Sequence, residues 1–418
     1  MSLDSPLIRP FAGLRPRRSD AAAVAAPPYD VLSSDEARQA AIGKPLSFLH
    51  VSKAEIDLPR AVDHYAPEVY AKSAENFQRM IQLGVLQRDQ RPSYYAYRMI
   101  MDEHVQTGLV AAASVAAYES NRIRKHEYTR PDKEDDRVRQ IEALNAQTGP
   151  VLLAHTDDEQ AEALLAQATA GLPDTDVLTD AGVRHLLWCI DDDRTIAQLS
   201  QVFNRMPTLY IADGHHRSAA AARVAAARRP PATTAATTGG SAEFFLSVIF
   251  PARQMRILDY NRVVRDLNGY SEAEFLAAVG RCCSVQPCTE PCRPDRPTVC
   301  GMYLNGRWYR LEFPAAWLSS ADPAHSLDVS LLAENILGPV LGIGDLRRDT
   351  RIDFVGGGRG LAELERRVDS AEMAVAFAMC PTPMAALMRV ADAGQVMPPK
   401  STWFDPKLAD GLVSHVLD

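Results

Sequence analysis

The sequence predicts a mixed α+β protein with two domains, and three observations support this prediction. The chain has 418 residues, which is more than one hydrophobic core usually organises. Short apolar runs of β type alternate with longer segments whose apolar residues recur at helical spacing. A segment rich in proline and cysteine follows residues 253–268. We therefore expect an N-terminal domain over residues 1–252 and a second α+β domain over residues 253–418.

Boundary residues and apolar periodicity predict the elements of the first half. Pro27 and Pro28 force an extended segment that places Tyr29 and Asp30 rigidly. Ser33, followed by two acidic residues, is typical of a helix start. Periodicity then predicts short strands over 24–26 and 46–51, a helix over 60–83, paired strands over 93–101 and 108–118, a helix over 157–172, a strand over 183–190, a helix over 195–206 and a strand over 243–250. The alanines within 108–118 would also suit a helix.

The second half begins after a low-complexity segment, residues 230–241, that we expect to be a surface loop. Asn305-Gly306 between two alternating runs is the strongest hairpin signal in the chain. Glycines at residues 356–360 stand between a predicted strand and a predicted helix, where tight packing and phosphate contact are both open. The other expected elements are helices over 330–337, 361–368 and 384–390 and strands over 352–355 and 373–379.

Composition excludes several classes of protein. The formal net charge of −8 argues against a general nucleic-acid binder, which would carry a basic excess. No apolar run reaches the length of a membrane span, and residues 1–18 lack the apolar segment of a secretory signal. The seven cysteines form no Cys-x-x-Cys pair. We therefore expect a cytoplasmic protein with reduced thiols.

The most informative motif follows an apolar run of β type and precedes an alanine-rich helix. Its residues are Asp213, Gly214, His215, His216 and Arg217. A strand, a glycine turn and a helix start direct backbone N–H groups and the positive end of the helix dipole at one point. Gly214 would let the backbone approach an anion, and Arg217 could bind that anion through two hydrogen bonds. The motif predicts a phosphate site; the alternative is that Asp213 only caps the helix while the histidines line a surface turn.

Two other segments carry charged candidates. His126 and Glu127 precede Arg130, and Pro131 then begins a predicted helix with acidic residues in its first turn. Lys133 and Arg137 would lie on one face of this helix, although a solvated charged face is the alternative reading. The segment lacks the second histidine of the zinc-protease motif His-Glu-x-x-His. Near the C-terminus, three prolines predict a stiff extended segment that would present Lys400 and Lys407 in fixed positions.

Six motifs together resemble domain-of-unknown-function family 1015 over nearly the whole chain. They are Ala-Ala-Pro-Pro-Tyr-Asp-Val at 25–31, Ser-Phe-Leu-His-Val at 47–51, His-Glu-Tyr-Thr-Arg at 126–130, Lys-Glu-Asp-Asp-Arg at 133–137, Ala-Asp-Gly-His-His-Arg at 212–217 and Met-Pro-Pro-Lys-Ser-Thr-Trp-Phe at 397–404. The resemblance indicates relatedness to this family more than it indicates an activity.

A wider resemblance covers the central strand and helix and the N-terminal strand. This block resembles the phosphate-binding element of the ParB/sulfiredoxin superfamily, which includes free-serine kinases. The resemblance implies a ParB/sulfiredoxin-like nucleotide-binding core with insertions in the first domain. It also implies that Gly214, His215, His216 and Arg217 contact nucleotide phosphates. In those kinases an acidic residue acts as the base, and here Asp30 and Glu127 are the two candidates.

The first functional hypothesis is a nucleotide-dependent phosphotransferase that acts on a small hydroxylated metabolite. ATP or ADP with Mg²⁺ would be the cofactor, and Asp213 would hold the metal directly or through water. Arg130, Lys133 and Arg137 would offset developing charge or bind a substrate carboxylate. The candidate catalytic residues are Asp30, His126, Glu127 and Asp213, and the candidate nucleotide-binding residues are Gly214, His215, His216, Arg217, Arg130, Lys133, Arg137 and Lys400.

Two alternatives remain open. One is a non-catalytic nucleotide- or anion-binding regulatory protein. The other is a metal-dependent hydrolase that uses His126, His215, His216 and an acid, for which the ligand types are present without a diagnostic spacing. The expected partners are a nucleotide and a small-molecule substrate, and neither nucleic acid nor a membrane. Whether the chain forms homo-oligomers is left open.

Overall fold

The computed structural model describes residues 6–229, 240–319 and 322–418, and these residues form two compact units. The first unit comprises the described residues within 1–124, 129–255 and 406–418, and the second comprises those within 125–128 and 256–405. The mixed α+β fold class is confirmed. The domain division at residue 252 and the ParB/sulfiredoxin-like character of the first domain stay predictions. Among the described residues, none of the helices combines the length and apolar character needed to cross a bilayer.

The first unit contains the two helices that carry candidate site residues, one beginning at Pro131 and one beginning at His215. In chain order the helices are α1 (Ala21–Val24), α2 (Ser34–Ala41), α3 (Leu49–Ser52), α4 (Pro67–Gln82), α5 (Val115–Glu119), α6 (Pro131–Leu144), α7 (Glu159–Ala168), α8 (Asp193–Asn204) and α9 (His215–Arg228). The predicted starts at Ser33 and Pro131 are confirmed. Ser33 forms a capping box with Glu36, and Pro131 occupies the first turn of α6.

The strands of the first unit form one large mixed sheet and smaller pairs. They are β1 (Ile8–Arg9), β2 (Leu14–Pro16), β3 (Leu86–Arg88), β4 (Tyr94–Met101), β5 (His104–Ser114), β6 (Ile123–Arg124), β7 (Ala146–Gln147), β8 (Val151–His155), β9 (Thr175–Leu178), β10 (Arg184–Ile190), β11 (Leu209–Asp213) and β12 (Phe244–Pro251). The sheet order is β6-β11-β8-β12-β5-β4-β10-β9, and β1 also pairs with β5. β11 therefore lies near one edge of the sheet, parallel to β6 and antiparallel to β8.

Three strand predictions in the first half are wrong, and the helix predicted over 60–83 covers only Pro67–Gln82. Residues 46–51 are not a strand, because Phe48 and Val51 lie one helical turn apart and bury together in the core that contains Phe77. A short apolar run does not distinguish a strand from a buried helix. Residues 24–26 are not a strand either, since α1 ends at Val24 and Ala26 forms an isolated bridge. The strand predicted over 108–118 ends at Ser114, whose side chain caps α5.

The second unit is built on an antiparallel sheet of order β15-β17-β16-β19-β14-β18. The turn between β16 and β17 confirms the predicted hairpin, because Asn305 and Gly306 both have positive φ, as a type I′ turn requires. The elements are β13 (Ile257–Leu258), β14 (Tyr260–Val264), β15 (Ser284–Cys288), β16 (Val299–Leu304), β17 (Arg307–Glu312), β18 (Ile352–Gly356), β19 (Val375–Ala378), β20 (Trp403–Phe404), α10 (Glu272–Gly280), α11 (Asp328–Leu332), α12 (Gly360–Asp369) and α13 (Met384–Asp392).

The C-terminal segment, residues 406–418, belongs to the first unit. Its strand β21 (His415–Val416) pairs antiparallel with β7, and Ala26 and Asp410 form a bridge through two backbone hydrogen bonds. These contacts place the side chains of residues 407 and 410 beside the start of α9, as described below. The seven cysteines are all free thiols. The predicted loop over residues 230–241 lies almost entirely outside the described residues.

Candidate functional site

The corner between β11 and α9 forms the centre of the candidate site. Gly214 has a φ of +101°, a left-handed conformation that other residues rarely adopt. A Cβ atom at this position would lie 3.0 Å from Nε of Arg217 and 3.3 Å from Cα of Val151. The corner therefore needs glycine both for its backbone conformation and for space. α9 begins at the next residue, so the positive end of its dipole lies at this corner.

Arg217 folds back from the first turn of α9 and is 8% exposed. Its Nη1 donates a hydrogen bond to the carbonyl oxygen of Pro150. Its Nη2 lies 3.4 Å from Oδ2 of Asp213 and 3.8 Å from Oδ2 of Asp30. Burial alone would lower the pKa of Arg217, but the two carboxylates raise it above its ordinary value. The guanidinium is therefore a fixed positive charge at the corner.

Asp213 ends β11 and has two cationic partners. Its Oδ2 lies 3.4 Å from Nζ of Lys407 and 3.4 Å from Nη2 of Arg217. Burial would raise the pKa of this carboxyl group, but Lys407, Arg217 and His215 together hold it well below its ordinary value. Asp213 is therefore ionised throughout the physiological pH range.

Arg137 on α6 is a second guanidinium near the corner, and its side chain is 13% exposed. It donates hydrogen bonds of 2.9 and 2.6 Å from Nε and Nη2 to Oδ2 of Asp136, whose Oδ1 accepts from the hydroxyl of Tyr70. The guanidinium carbon lies 3.8 Å from the ring centroid of Tyr29. Burial would lower the pKa of Arg137, but Tyr29, Asp136 and Asp30 raise it. Both arginines are therefore held by acidic partners inside the first unit.

The start of α6 lies beside the start of α9. The backbone N–H of Arg130 donates a hydrogen bond of 3.0 Å to Nε2 of His216, so Nδ1 carries the proton when this imidazole is neutral. The guanidinium of Arg130 pairs with Asp132, and Nζ of Lys133 lies 2.6 Å from the hydroxyl of Tyr65. The structure thus brings two sequence-predicted segments together, but it gives the side chains of Arg130 and Lys133 partners outside the corner.

Asp30 is the most accessible carboxylate near Arg217. Its side chain is 39% exposed, compared with 8% for the Arg217 side chain. Asp30 follows Pro27 and Pro28 closely in the chain, and its rigid placement by these prolines stays a prediction. The role of Asp30 as a general base stays a prediction.

A small cavity with both polar and apolar lining lies next to the guanidinium groups of Arg217 and Arg137. It has a volume of about 30 Å³, and its polar lining includes Tyr29, Ser52, Arg137, Arg217 and Asp410. Asp410 is 2% exposed. Burial and the nearby Asp30 raise the pKa of Asp410 to about 7, although Arg217 and Arg137 act in the opposite direction.

Three predicted site residues belong to the second unit. The backbone carbonyl of His126 accepts a hydrogen bond of 2.8 Å from the backbone N–H of Met397, and Glu127 follows it in the same short segment. Nζ of Lys400 lies 5.7 Å from the ring centroid of Tyr260. Their assignment as catalytic or nucleotide-binding residues stays a prediction.

Two residues near the corner, Lys407 and Asp410, have no functional role in the predictions made from the sequence. Lys407 was predicted only to be held in a stiff segment, and Asp410 was not singled out. Asp410 stands in an Asp-Gly pair, like Asp213, and Gly411 has a φ of +87° with no room for a Cβ beside Phe48. That repeated Asp-Gly pair was the available signal. The C-terminal segment brings both residues to the site from almost 200 positions away, which no local pattern indicates.

Comparison with known proteins gives one family and several distant structures. A family described as "Protein of unknown function (DUF1015)" matches residues 8–330. A comparison with curated proteins gave no significant match.

Solved structures of low similarity include "Free serine kinase in complex with AMP", with 12% identity, a TM-score of 0.36 and coverage of 73% of this chain and 89% of that chain. SbnI with a C-terminal truncation, from Staphylococcus aureus, has 13% identity, a TM-score of 0.37 and coverage of 72% and 85%. A conserved hypothetical protein from Pyrococcus furiosus has 13% identity, a TM-score of 0.35 and coverage of 74% and 96%. At these TM-scores the likeness supports no inference about the function of this chain.

Proposed function

This chain belongs to the DUF1015 family, whose function is unknown, and we propose from the geometry of its site that it is a nucleotide-dependent phosphotransferase acting on a small hydroxylated metabolite. The observation that carries the proposal is the buried Arg217 guanidinium beside Gly214 at the start of α9. A helix start and a fixed guanidinium together offer the donors that a phosphate group binds.

The phosphate contacts come from the first turn of α9. Backbone N–H groups at Gly214 and His215, the imidazole of His216 and the guanidinium of Arg217 would hold the phosphates of ATP or ADP. Phosphoryl transfer asks a protein mainly for positioning and charge compensation. Arg217 supports this role because its carboxylate partners keep it protonated and fixed in place.

Asp213 would hold Mg²⁺ directly or through a bound water. Lys407 and Arg217 both contact Oδ2, and Oδ1 is the oxygen proposed for the metal or for a water bound to it. One carboxylate suits Mg²⁺, because this ion keeps several waters and takes few protein ligands. The bound ion would neutralise charge on the phosphates.

Asp30 is the proposed base for the acceptor hydroxyl. It is accessible and lies 3.8 Å from the guanidinium of Arg217, which would bind the phosphate. Glu127 remains the second candidate, with His126 beside it. Arg130, Lys133, Arg137 and Lys400 are proposed to offset charge around the bound nucleotide and its acceptor.

Charge balance at the corner favours one alternative, a nucleotide- or anion-binding regulatory protein without catalysis. Arg137 is bound to Asp136, and Lys407 and Arg217 share Asp213, so each cation already has an anionic partner. A site with balanced charges can bind an anion. It lacks the surplus positive charge that would stabilise the additional negative charge of a transition state.

Titration calorimetry with ATP, ADP and CTP in the presence of Mg²⁺ tests nucleotide binding. We expect at least one nucleotide to bind and the variant His216→Ala to bind it about tenfold more weakly, since a hydrogen bond to a charged group contributes about 1.5–3 kcal/mol. His104→Ala is the matched control, because His104 bonds to Gln106 on the strand β5. Absence of binding by every nucleotide, or equal binding by His216→Ala and the wild type, would refute the proposal.

Transfer of labelled phosphate from the bound nucleotide to a metabolite pool separates the two functions. For the phosphotransferase we expect Asp30→Asn to keep nucleotide affinity and to lose about 10²–10⁴-fold in transfer rate, which is the usual contribution of a general base. Nucleotide binding without transfer to any small molecule would instead support the regulatory alternative.

A further inference from the structure

The cavity beside Arg217 contains three buried polar atoms that the fold leaves unpaired. Within the described residues, Oγ of Ser52, Nε of Arg217 and Oδ1 of Asp410 have no hydrogen-bond partner. All three side chains line this one cavity, and their residues are 7%, 8% and 2% exposed. Buried polar groups are paired in almost all native structures, and each unpaired group costs about 1–3 kcal/mol. The three unpaired atoms thus belong to side chains that line the same cavity.

The donors in this cavity select the chemical class of the ligand. The Nε–H of Arg217 and the hydroxyl of Ser52 can both donate, and Arg137 contributes a second positive charge to the lining. A volume of about 30 Å³ accommodates about two water-sized groups, since one water needs about 10–15 Å³ on this measure. The two oxygens of a carboxylate group match this size and this donor arrangement.

We propose that the cavity binds a single carboxylate group between Arg217, Arg137 and Ser52, and that Asp410 takes up a proton when the carboxylate enters. Two carboxylates cannot both stay ionised in contact, so a protonated Asp410 would donate its hydrogen bond to the incoming oxygen. Both proposed sites use Arg217, but the cavity is also lined by Ser52, Arg137 and Asp410, and carboxylate binding there does not rest on nucleotide binding.

The charged groups around Asp410 allow its carboxylate to take up this proton near neutral pH. Arg217 on α9 and Arg137 on α6 favour the ionised form, while Asp30 and burial favour the protonated form. Tyr97 on β4 also faces this carboxyl group, and the backbone at Tyr29 donates a hydrogen bond to it. An added anion would act in the same direction as Asp30, so its binding and protonation of Asp410 would reinforce each other.

Calorimetry with sodium formate and sodium acetate, against sodium chloride at equal ionic strength, tests the proposal between pH 6 and pH 8.5. We expect the carboxylates to bind and chloride to give no comparable heat. Above about pH 7 the affinity should fall by up to tenfold per pH unit, because one proton is taken up. Hexanoate distinguishes two sources of the ligand: binding of formate alone indicates a free small acid, and binding of hexanoate as well indicates the carboxylate end of a larger molecule.

Three variants test the site itself. Gly149→Ala places a methyl group 3.3 Å from Cδ of Arg217 and 3.6 Å from Oδ1 of Asp410, so it should lower formate affinity at least tenfold. Gly171→Ala is its control, since a Cβ there meets nothing within 4 Å. Asp410→Asn should still bind formate but lose the pH dependence. If Gly149→Ala does not fold, Ser52→Ala should show the lower affinity instead.

Several results would overturn this proposal. Equal responses to formate and chloride would show that the cavity holds only water. Formate binding that does not change with pH in the wild type would remove the role of Asp410. Unchanged affinity in both Gly149→Ala and Ser52→Ala would place the bound anion elsewhere. Nucleotide titrations on the same samples separate the two proposals, because nucleotide binding without formate binding refutes the carboxylate site alone.

Discussion

Both units contain a strand, a glycine turn and a helix, but the glycines have different structural roles in the two units. In the first unit one glycine, Gly214, turns the chain between β11 and α9, and the charged side chain of Arg217 lies directly against it. In the second unit, the glycines at residues 356–360 lie between β18 and α12, and side chains of the same unit fill the space that they leave. We call these the first corner and the second corner.

At the second corner the glycines make room for packing. A Cβ at Gly356 would lie 2.6 Å from the ring of Trp403, and one at Gly357 would lie 2.6 Å from Oδ1 of Asp259. The backbone N–H of Gly357 donates a hydrogen bond of 2.7 Å to the carbonyl of Asp259. Trp403 in turn contacts Tyr260 edge to face, with ring centroids 5.3 Å apart.

The number of glycines at a strand–helix turn therefore does not identify an anion site. What distinguishes the first corner is the set of charges around its glycine, namely Arg217, Asp213 and Lys407. The second corner has more glycines, and the ring of Trp403 packs against Gly356 there. A strand–glycine–helix pattern should therefore be read together with the charged residues that reach it.

The largest expected effect comes from removing the cation of the first corner. Arg217→Ala leaves Asp213 with one cation fewer and leaves the carbonyl of Pro150 without its donor, so we expect a loss of about 3–5 kcal/mol in the free energy of unfolding. Arg359→Ala should have a smaller effect, at most about 1 kcal/mol, because this side chain at the second corner is exposed and exposed ion pairs contribute little to stability. Urea unfolding of both variants measures the difference. Similar losses in the two variants would contradict the distinction between the corners.

Local signals in the sequence were sufficient for helix starts and turns in both units. Pro131 at the start of α6 and the hairpin at Asn305-Gly306 were predicted correctly, because each depends on backbone preferences of neighbouring residues. The helix α9 was also predicted, although it starts at His215, within the motif, before the alanine-rich run. Capping and turn residues act over a few positions, which is why a single sequence reveals them.

Tertiary contacts account for what the sequence could not show. The run at 46–51 has the apolar content of a strand, and only its packing with Phe77 favours a helix. Lys407 and Asp410 reach the first corner because β21 pairs with β7 and Ala26 pairs with Asp410. Such pairings depend on the whole fold, so the charge balance of the site was not predictable from its own motif.

The pH dependence of the free energy of unfolding tests the ionisation of Asp410, which lies near Arg217 of the first corner. The pKa of Asp410 is raised to about 7, so between about pH 4 and 7 the folded protein holds a proton that the unfolded chain has released. Stability contributed by this residue is therefore lost as pH rises, by about 1.4 kcal/mol for each pH unit in that interval. We expect Asp410→Asn to be more stable than the wild type at pH 8 and to lose this advantage near pH 4.

Asp418→Asn on the same C-terminal segment provides a control of opposite sign. A hydrogen bond from Arg88 lowers the pKa of Asp418, so its contribution is present at neutral pH and lost on acidification. Asp418→Asn should therefore be the less stable protein at pH 8 and approach the wild type in acid. Chemical unfolding of the three proteins from pH 4 to 8 measures both effects. Parallel profiles for Asp410→Asn and the wild type would show that Asp410 is ionised throughout.

The smallest predicted effect comes from adding single methyl groups to the two corners. Gly214→Ala must hold alanine at a φ of +101° against Nε of Arg217, which we expect to cost about 1–3 kcal/mol. Gly358→Ala should be nearly neutral, since its Cβ would lie 3.9 Å from the nearest atom and its φ is not left-handed. Thermal unfolding of both variants measures the cost, and calorimetry with nucleotide measures the site. Because Gly214→Ala also displaces the guanidinium, it should lose nucleotide affinity, whereas Gly358→Ala should keep it; if only Gly358→Ala lost affinity, the second corner would be the phosphate site.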